Sequence, residues 1–89
     1  MKKAYSIEEI KAILSKSTNE AADAISSDFE ATGDALTVLV KVDTDDGIKE
    51  LYAEAPQTTE ADTPEFYAEW EAAIPDLIDS LREQAAKIQ

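Results

Sequence analysis

Ala35-Leu36-Thr37-Val38-Leu39-Val40-Lys41-Val42-Asp43, then Thr44-Asp45-Asp46-Gly47, then Ile48-Lys49-Glu50-Leu51-Tyr52-Ala53-Glu54-Ala55, is the stretch that decides the fold class. Leu36, Val38, Val40 and Val42 alternate with Thr37, Leu39 and Lys41, and period two in β-branched residues means a strand. Asp43 to Gly47 reads as a turn, with Asp-Gly the strongest short hairpin signal. From Ile48 to Ala55 the alternation returns more weakly. Leu51, Ala53 and Ala55 fall on one side, with Glu50, Tyr52 and Glu54 on the other. Two strands alone are marginal, so helices must cover this hairpin or another chain must extend it.

Helical periods flank the hairpin on both sides. Ser6-Ile7-Glu8-Glu9 is a capping box, and Ile7, Ile10, Ile13 and Leu14 follow at helical spacing. This predicts a first helix from about Ile7 to Ser17. Ser17-Thr18-Asn19 then ends it and starts a second, with Ala22, Ile25 and Phe29 on one face and Thr32-Gly33-Asp34 closing it. One kinked helix from Ile7 to Ala31 is the alternative. Pro56 to Thr63 is a polar, acidic loop. Thr63-Pro64-Glu65 begins the last helix, with Thr at N-cap and Pro at N1. That helix carries Phe66, Trp70, Ile74, Leu77, Ile78, Leu81, Ala85 and Ile88 on one apolar face. Pro75 either kinks it or divides it in two. The fold class expected is α+β in one domain: an N-terminal helix or helix pair, an antiparallel two-stranded hairpin, and a C-terminal kinked helix or helix pair. Leu36, Val38, Val40 and Val42 should meet Phe66, Trp70, Ile74, Leu77 and Leu81, with Ile10, Ile13 and Leu14 added by the first helix.

Eighty-nine residues allow one core and a thin stability margin. The chain has no Cys and no His, which removes disulfides, thiol nucleophiles, zinc-thiolate sites and the commonest general base. Asp43-Thr44-Asp45-Asp46-Gly47 fails the register of an EF-hand loop, because its glycine comes one position early. Asp79-Ser80-Leu81 lies too near the chain end to be the prosthetic-group site of an acyl carrier protein. A domain this small has little room for the pocket that a catalytic carboxylate pair needs. Neither an enzyme, a cofactor nor a metal centre is expected. No apolar run approaches a membrane span, and Lys2-Lys3 precede no apolar leader segment. The expected location is the cytoplasm of a bacterial host.

Charge is the remaining signal. Twenty acids face eight bases, a net charge of −12. Between Asp43 and Asp79 stand 12 acids and one base, Lys49. Such a chain repels nucleic acid and anionic membranes and suits a basic partner. At about 100° per residue, Glu65, Glu69, Asp76, Asp79 and Glu83 fall within about 40° of one another's mean direction, opposite the apolar face. Their spacing along the axis is roughly 5–10 Å at the helical rise, comparable with successive phosphates of a duplex strand. Asp43, Asp45, Asp46, Glu50 and Glu54 form a second patch on the hairpin. An acidic stripe is also what any solvated amphipathic helix shows, so a purely solubilising role stands beside the binding role.

In size, charge and layout the chain resembles the small acidic inhibitor proteins of phages and mobile elements. These include DNA-mimicking anti-CRISPR proteins, uracil-DNA glycosylase inhibitors and restriction inhibitors; acidic immunity proteins against nuclease toxins are similar. Ala61-Asp62-Thr63-Pro64-Glu65-Phe66-Tyr67-Ala68-Glu69-Trp70 has their acid–aromatic texture. The resemblance implies stoichiometric binding to a basic nucleic-acid-binding protein or nuclease complex, with carboxylates in place of phosphates and no direct contact with nucleic acid. The alternative is a small assembly protein that forms a homodimer by pairing a free hairpin edge across a two-fold axis.

Overall fold

In the computed structural model, which describes residues 4–88, one long strand organises every other element. This strand, β3 (Ala35–Thr44), pairs along its whole length with β4 (Gly47–Pro56), antiparallel, with Leu39 opposite Tyr52 and Lys41 opposite Glu50. Its other edge is shared by two short strands. β1 (Ala4–Ser6) runs parallel to it at Lys41–Asp43, and β2 (Phe29–Ala31) runs antiparallel at Leu36–Val38. The fold is α+β as expected, but its sheet is mixed and four-stranded rather than a lone hairpin. Met1–Lys3, with the Lys2-Lys3 doublet, and Gln89 lie outside the described residues.

The helices match the sequence reading closely at both ends of the chain and depart from it in the middle. α1 (Ile7–Leu14) starts on Ser6, whose hydroxyl accepts from the Glu9 amide, and stops three residues before the expected end. α2 (Thr18–Ala24) starts on Ser17 in the same way, through the Glu20 amide. It does not continue to Ala31. A single 3₁₀ turn at Ser26–Asp28 replaces its last expected turns, and Phe29 enters β2 opposite Val38. Ser26, Ser27 and Asp28 are poor helix formers because their side chains compete for backbone groups. An aromatic residue beside the unpaired edge of β3 gains more by pairing. α3 (Pro64–Ala85) is capped by Thr63, whose hydroxyl accepts from the Phe66 amide. It runs unbroken through Pro75, so the two-helix alternative falls.

The tight turn of the hairpin falls within the expected stretch from Asp43 to Gly47. Asp45 and Asp46 occupy its centre, and Gly47 follows at φ 112° as the first residue of β4. A glycine at this left-handed position after a two-residue turn bends the strand pair without a Cβ penalty. Thr44 secures the turn: its hydroxyl donates to the Gly47 carbonyl (2.7 Å) and accepts from the Asp46 amide (3.2 Å).

Alternation divides the sheet into two unlike faces. Leu36, Val38, Val40 and Val42 of β3, with Leu51 and Ala53 of β4, are buried on one. Ile10 and Leu14 of α1, Ala21 and Ala22 of α2, and Leu77, Ile78, Leu81 and Ala85 of α3 are buried with them. Each fully buried aliphatic side chain contributes about 1.5–3 kcal/mol, and together they form the core. Thr37, Leu39, Lys41 and Asp43 leave the opposite face with Ile48, Glu50, Tyr52 and Glu54, and no helix covers them.

Candidate functional site

The five stripe carboxylates do not share one environment. Glu65, Asp76 and Glu83 are exposed on the outer side of α3. Glu69 is engaged instead with the loop that leads into α3. Its carboxylate accepts from the amides of Thr58 and Thr59 (3.0 and 3.2 Å) and from both of their hydroxyls. Those bonds, led by the Thr58 hydroxyl, hold its pKa down at about 2. Asp79 forms an ion pair with Arg82 at 3.3 Å. The three uncommitted acids are then separated by roughly 16 and 10 Å along the axis at the helical rise. That spacing is wider and less regular than the even row expected from the sequence.

Arg82 is itself a structural tie. Its Nε donates to the Leu14 carbonyl and its Nη2 to the Lys16 carbonyl, both at 2.7 Å. These are carbonyls at the C-terminal end of α1, where a guanidinium meets both the helix dipole and unpaired acceptors. Lys11 performs a similar task at the chain end, donating to the Ile88 carbonyl at 2.9 Å. Arg82 and Lys11 therefore pin the helices together, and of the stripe acids Arg82 pairs with Asp79 alone.

The hairpin patch is built differently. Asp43, Glu50 and Glu54 project from the uncovered face of the sheet, and Asp45 and Asp46 sit at the turn beyond its end. Strand register adds Glu30, which lies opposite Thr37, as Glu54 does on the other side. Glu30 and Glu54 thus flank Thr37 at about 10 Å across three strands. At the centre are Leu39 and its cross-strand partner Tyr52, which is 45% exposed, and near the turn Ile48 is 56% exposed. The Tyr52 hydroxyl donates to Glu54 Oε2 at 2.9 Å, and that bond raises the phenol's pKa. Among the described residues Lys41 is the one cation of the face, directly opposite Glu50.

The two predicted patches therefore do not merge. α3 packs its apolar side on the covered face of the sheet and directs Glu65, Asp76 and Glu83 outward, while Glu50 and Glu54 leave the far side. Sequence reasoning overlooked Glu30, Leu39 and Ile48 as members of the hairpin surface. For Leu39 and Ile48 the signal was the parity of the alternation, which puts odd residues of β3 and even residues of β4 together; Glu30 had no such signal, because β2 is too short to show a period. Trp70 is also displaced from the expected core. It is half-buried, its ring 5.3 Å from that of Phe29 and 6.0 Å from that of Phe66.

A buried polar pair lies apart from the exposed acids, within the fold. The Tyr5 hydroxyl donates to Asp28 Oδ2 at 2.9 Å, and Asp28 is only 2% exposed. Burial, then the adjacent carboxylate, pushes the Tyr5 pKa up to about 12. The bond fastens β1 to the 3₁₀ turn before β2, the two segments that share one edge of β3.

No helix among the described residues is long and apolar enough to cross a membrane. Comparison of the chain with protein-family models, curated proteins and solved structures finds no match. The functional reading therefore rests on the surface itself.

Proposed function

We propose that this protein is a non-catalytic acidic binding module. Its uncovered sheet face docks on a basic surface of a nucleic-acid-processing protein, with carboxylates in the places of phosphates. One observation carries the reading: a sheet face left open by all three helices, where Glu30, Asp43, Glu50 and Glu54 surround an exposed tyrosine and isoleucine. An aromatic anchor within a ring of like charge fits a partner of opposite charge. Retaining those acids on a small domain costs stability through repulsion, which a binding role offsets. The acidic inhibitors of phages and mobile elements, directed against host nucleases, are the class this describes.

The test begins with capture of a target from bacterial lysate on the tagged chain, followed by purification of that target. Binding should weaken steeply with salt and be competed by duplex DNA. Replacing Glu30, Glu50 and Glu54 by Lys should abolish it, whereas replacing Glu65, Asp76 and Glu83 by Lys should reduce it far less. Undiminished binding by the first triple variant, or indifference to DNA, would sink the reading.

Assembly through the free edge of β4 meets an occupied edge. The Gln84 side chain accepts from the Tyr52 amide at 3.0 Å and donates to the Tyr52 carbonyl at 2.7 Å. Its amide thereby fills the place of a neighbouring strand at mid-edge. Light scattering should report a monomer.

A further inference from the structure

A cleft of about 670 Å³ lies between α2 and α3, lined by Asn19, Ala22, Asp23, Trp70, Glu71, Ile74 and Pro75. Its walls are rows of residues four apart, the spacing that puts side chains on one helix face. Asn19 and Asp23 stand on α2. Trp70 and Ile74, and Glu71 and Pro75, stand on α3. Among the described residues, neither Asp23 nor Glu71 has an ion-pair or side-chain hydrogen-bond partner. Proline adds a further acceptor. Pro75 has no N–H to give the Glu71 carbonyl four residues earlier, so that carbonyl lacks its helical donor.

We infer that this cleft seats an arginine side chain of the basic partner. The inference rests on the binding role proposed above and names a second point of contact. The two walls offer two carboxylates and a backbone carbonyl, and an indole stands beside them. A guanidinium matches that set. It is planar, stacks on an aromatic face, and spreads five donors to acceptors in different directions. An ammonium is a more strongly hydrated point charge and stacks less well. Asp23 and Glu71 supply the charge complementarity; Trp70, Ile74 and Pro75 supply apolar surface for the arginine's methylene stem.

Trp70 is the single tryptophan of the chain and lines this cleft, so a change in its emission is assigned to that side chain and the NMR shifts place it. The probe is a short peptide alternating glycine and arginine, compared with its citrulline isologue, which has the same shape and no charge. Both are titrated by Trp70 fluorescence and by amide NMR shifts. The arginine peptide should shift the Trp70 emission and perturb Ala22, Trp70 and Ile74 most, while the citrulline peptide does neither. Asp23→Asn and Glu71→Gln should each weaken binding about ten-fold, the loss of one charge-assisted contact. Pro75→Ala, which returns a donor to the Glu71 carbonyl, should weaken it while stabilising the helix. Asp76→Asn and Glu83→Gln should change nothing at this site. Equal binding of the citrulline peptide, unaltered affinity in Asp23→Asn and Glu71→Gln, or no response at all would overturn the inference. Shifts confined to Tyr52 and Glu54 would also overturn it while leaving the acidic-surface reading intact. That reading is decided separately, by the purified target and the open-face variants.

Discussion

The two faces of the central sheet come from the same two strands, yet neighbouring residues have opposite surroundings. Val38 and Val40 are fully buried under the helices, while Leu39 between them looks out beside Tyr52. On the covered face the buried positions are dictated by packing, since a buried side chain must fill its space and carry no unpaired charge. The open face has no such constraint. Its mixture of tyrosine, isoleucine and carboxylates is not set by packing. Substitutions should therefore separate the faces sharply: stability should respond on one and binding on the other.

The largest contrast is between adjacent residues of β3. Val40→Asp buries a carboxylate without a partner and should unfold the domain, a loss of more than about 4 kcal/mol. Leu39→Asp should remain folded. Circular dichroism and a urea titration of the two variants decide this, and equal destabilisation would erase the distinction between the faces. Leu81→Ala, a fully buried truncation under the covered face, should cost about 2–5 kcal/mol.

Next come the polar ties at the rim of the core. Arg82→Met removes two short bonds to the end of α1 and should cost about 1.5–3 kcal/mol. Asp79→Asn removes only an exposed ion pair and should cost less than about 1 kcal/mol. Comparable losses would mean that the ion pair, not the helix-end contact, is what Arg82 provides. Tyr5→Phe leaves the buried Asp28 short of a donor and should cost about 1–3 kcal/mol.

The same groups give a pH signature. The Tyr5 pKa is raised in the fold, so its contribution is complete below pH 10 and lost as pH climbs toward about 12. The Glu69 pKa is depressed, so its contribution is present above about 4.5 and lost as pH falls toward about 2. Unfolding followed against pH in Tyr5→Phe and Glu69→Gln should lack the corresponding alkaline and acid components. The smallest effect should come from Glu50→Lys with Glu54→Lys on the open face. Its stability should stay within about 0.5 kcal/mol of the parent, while capture of the basic partner is lost.

The same contrast explains which parts of the molecule were legible from its sequence. β3 and β4 could be read because ten alternating residues carry a period of their own. The three caps at Ser6, Ser17 and Thr63 could be read because a cap is a local bond. β1 and β2 could not, since Ala4-Tyr5-Ser6 and Phe29-Glu30-Ala31 are too short to show any period. Phe29 misled further, standing four residues after Ile25 as a helix would place it. Among the candidate site residues, exposure was readable but commitment was not. Glu69 looks like Glu65 in the sequence; only the loop folding back brings Thr58 and Thr59 to it. The cleft beside Trp70 depends on α2 lying against α3, a relation between elements rather than a pattern within one.

The order in which β3 acquires its neighbours has a consequence for biosynthesis. β1 cannot pair until residues 41–43 have been made, and α3, which helps to close over the valines, is made only after the whole sheet. Until α3 is made, Val38, Val40 and Val42 lack part of their cover on a strand of high β-propensity, the type of segment by which nascent chains stick together. The acidic turn, with Asp43, Asp45 and Asp46, is made directly after them, and its like charges repel other copies during that interval. Carboxylates on the open side of the hairpin thus protect the chain during its own synthesis, whatever they bind afterwards.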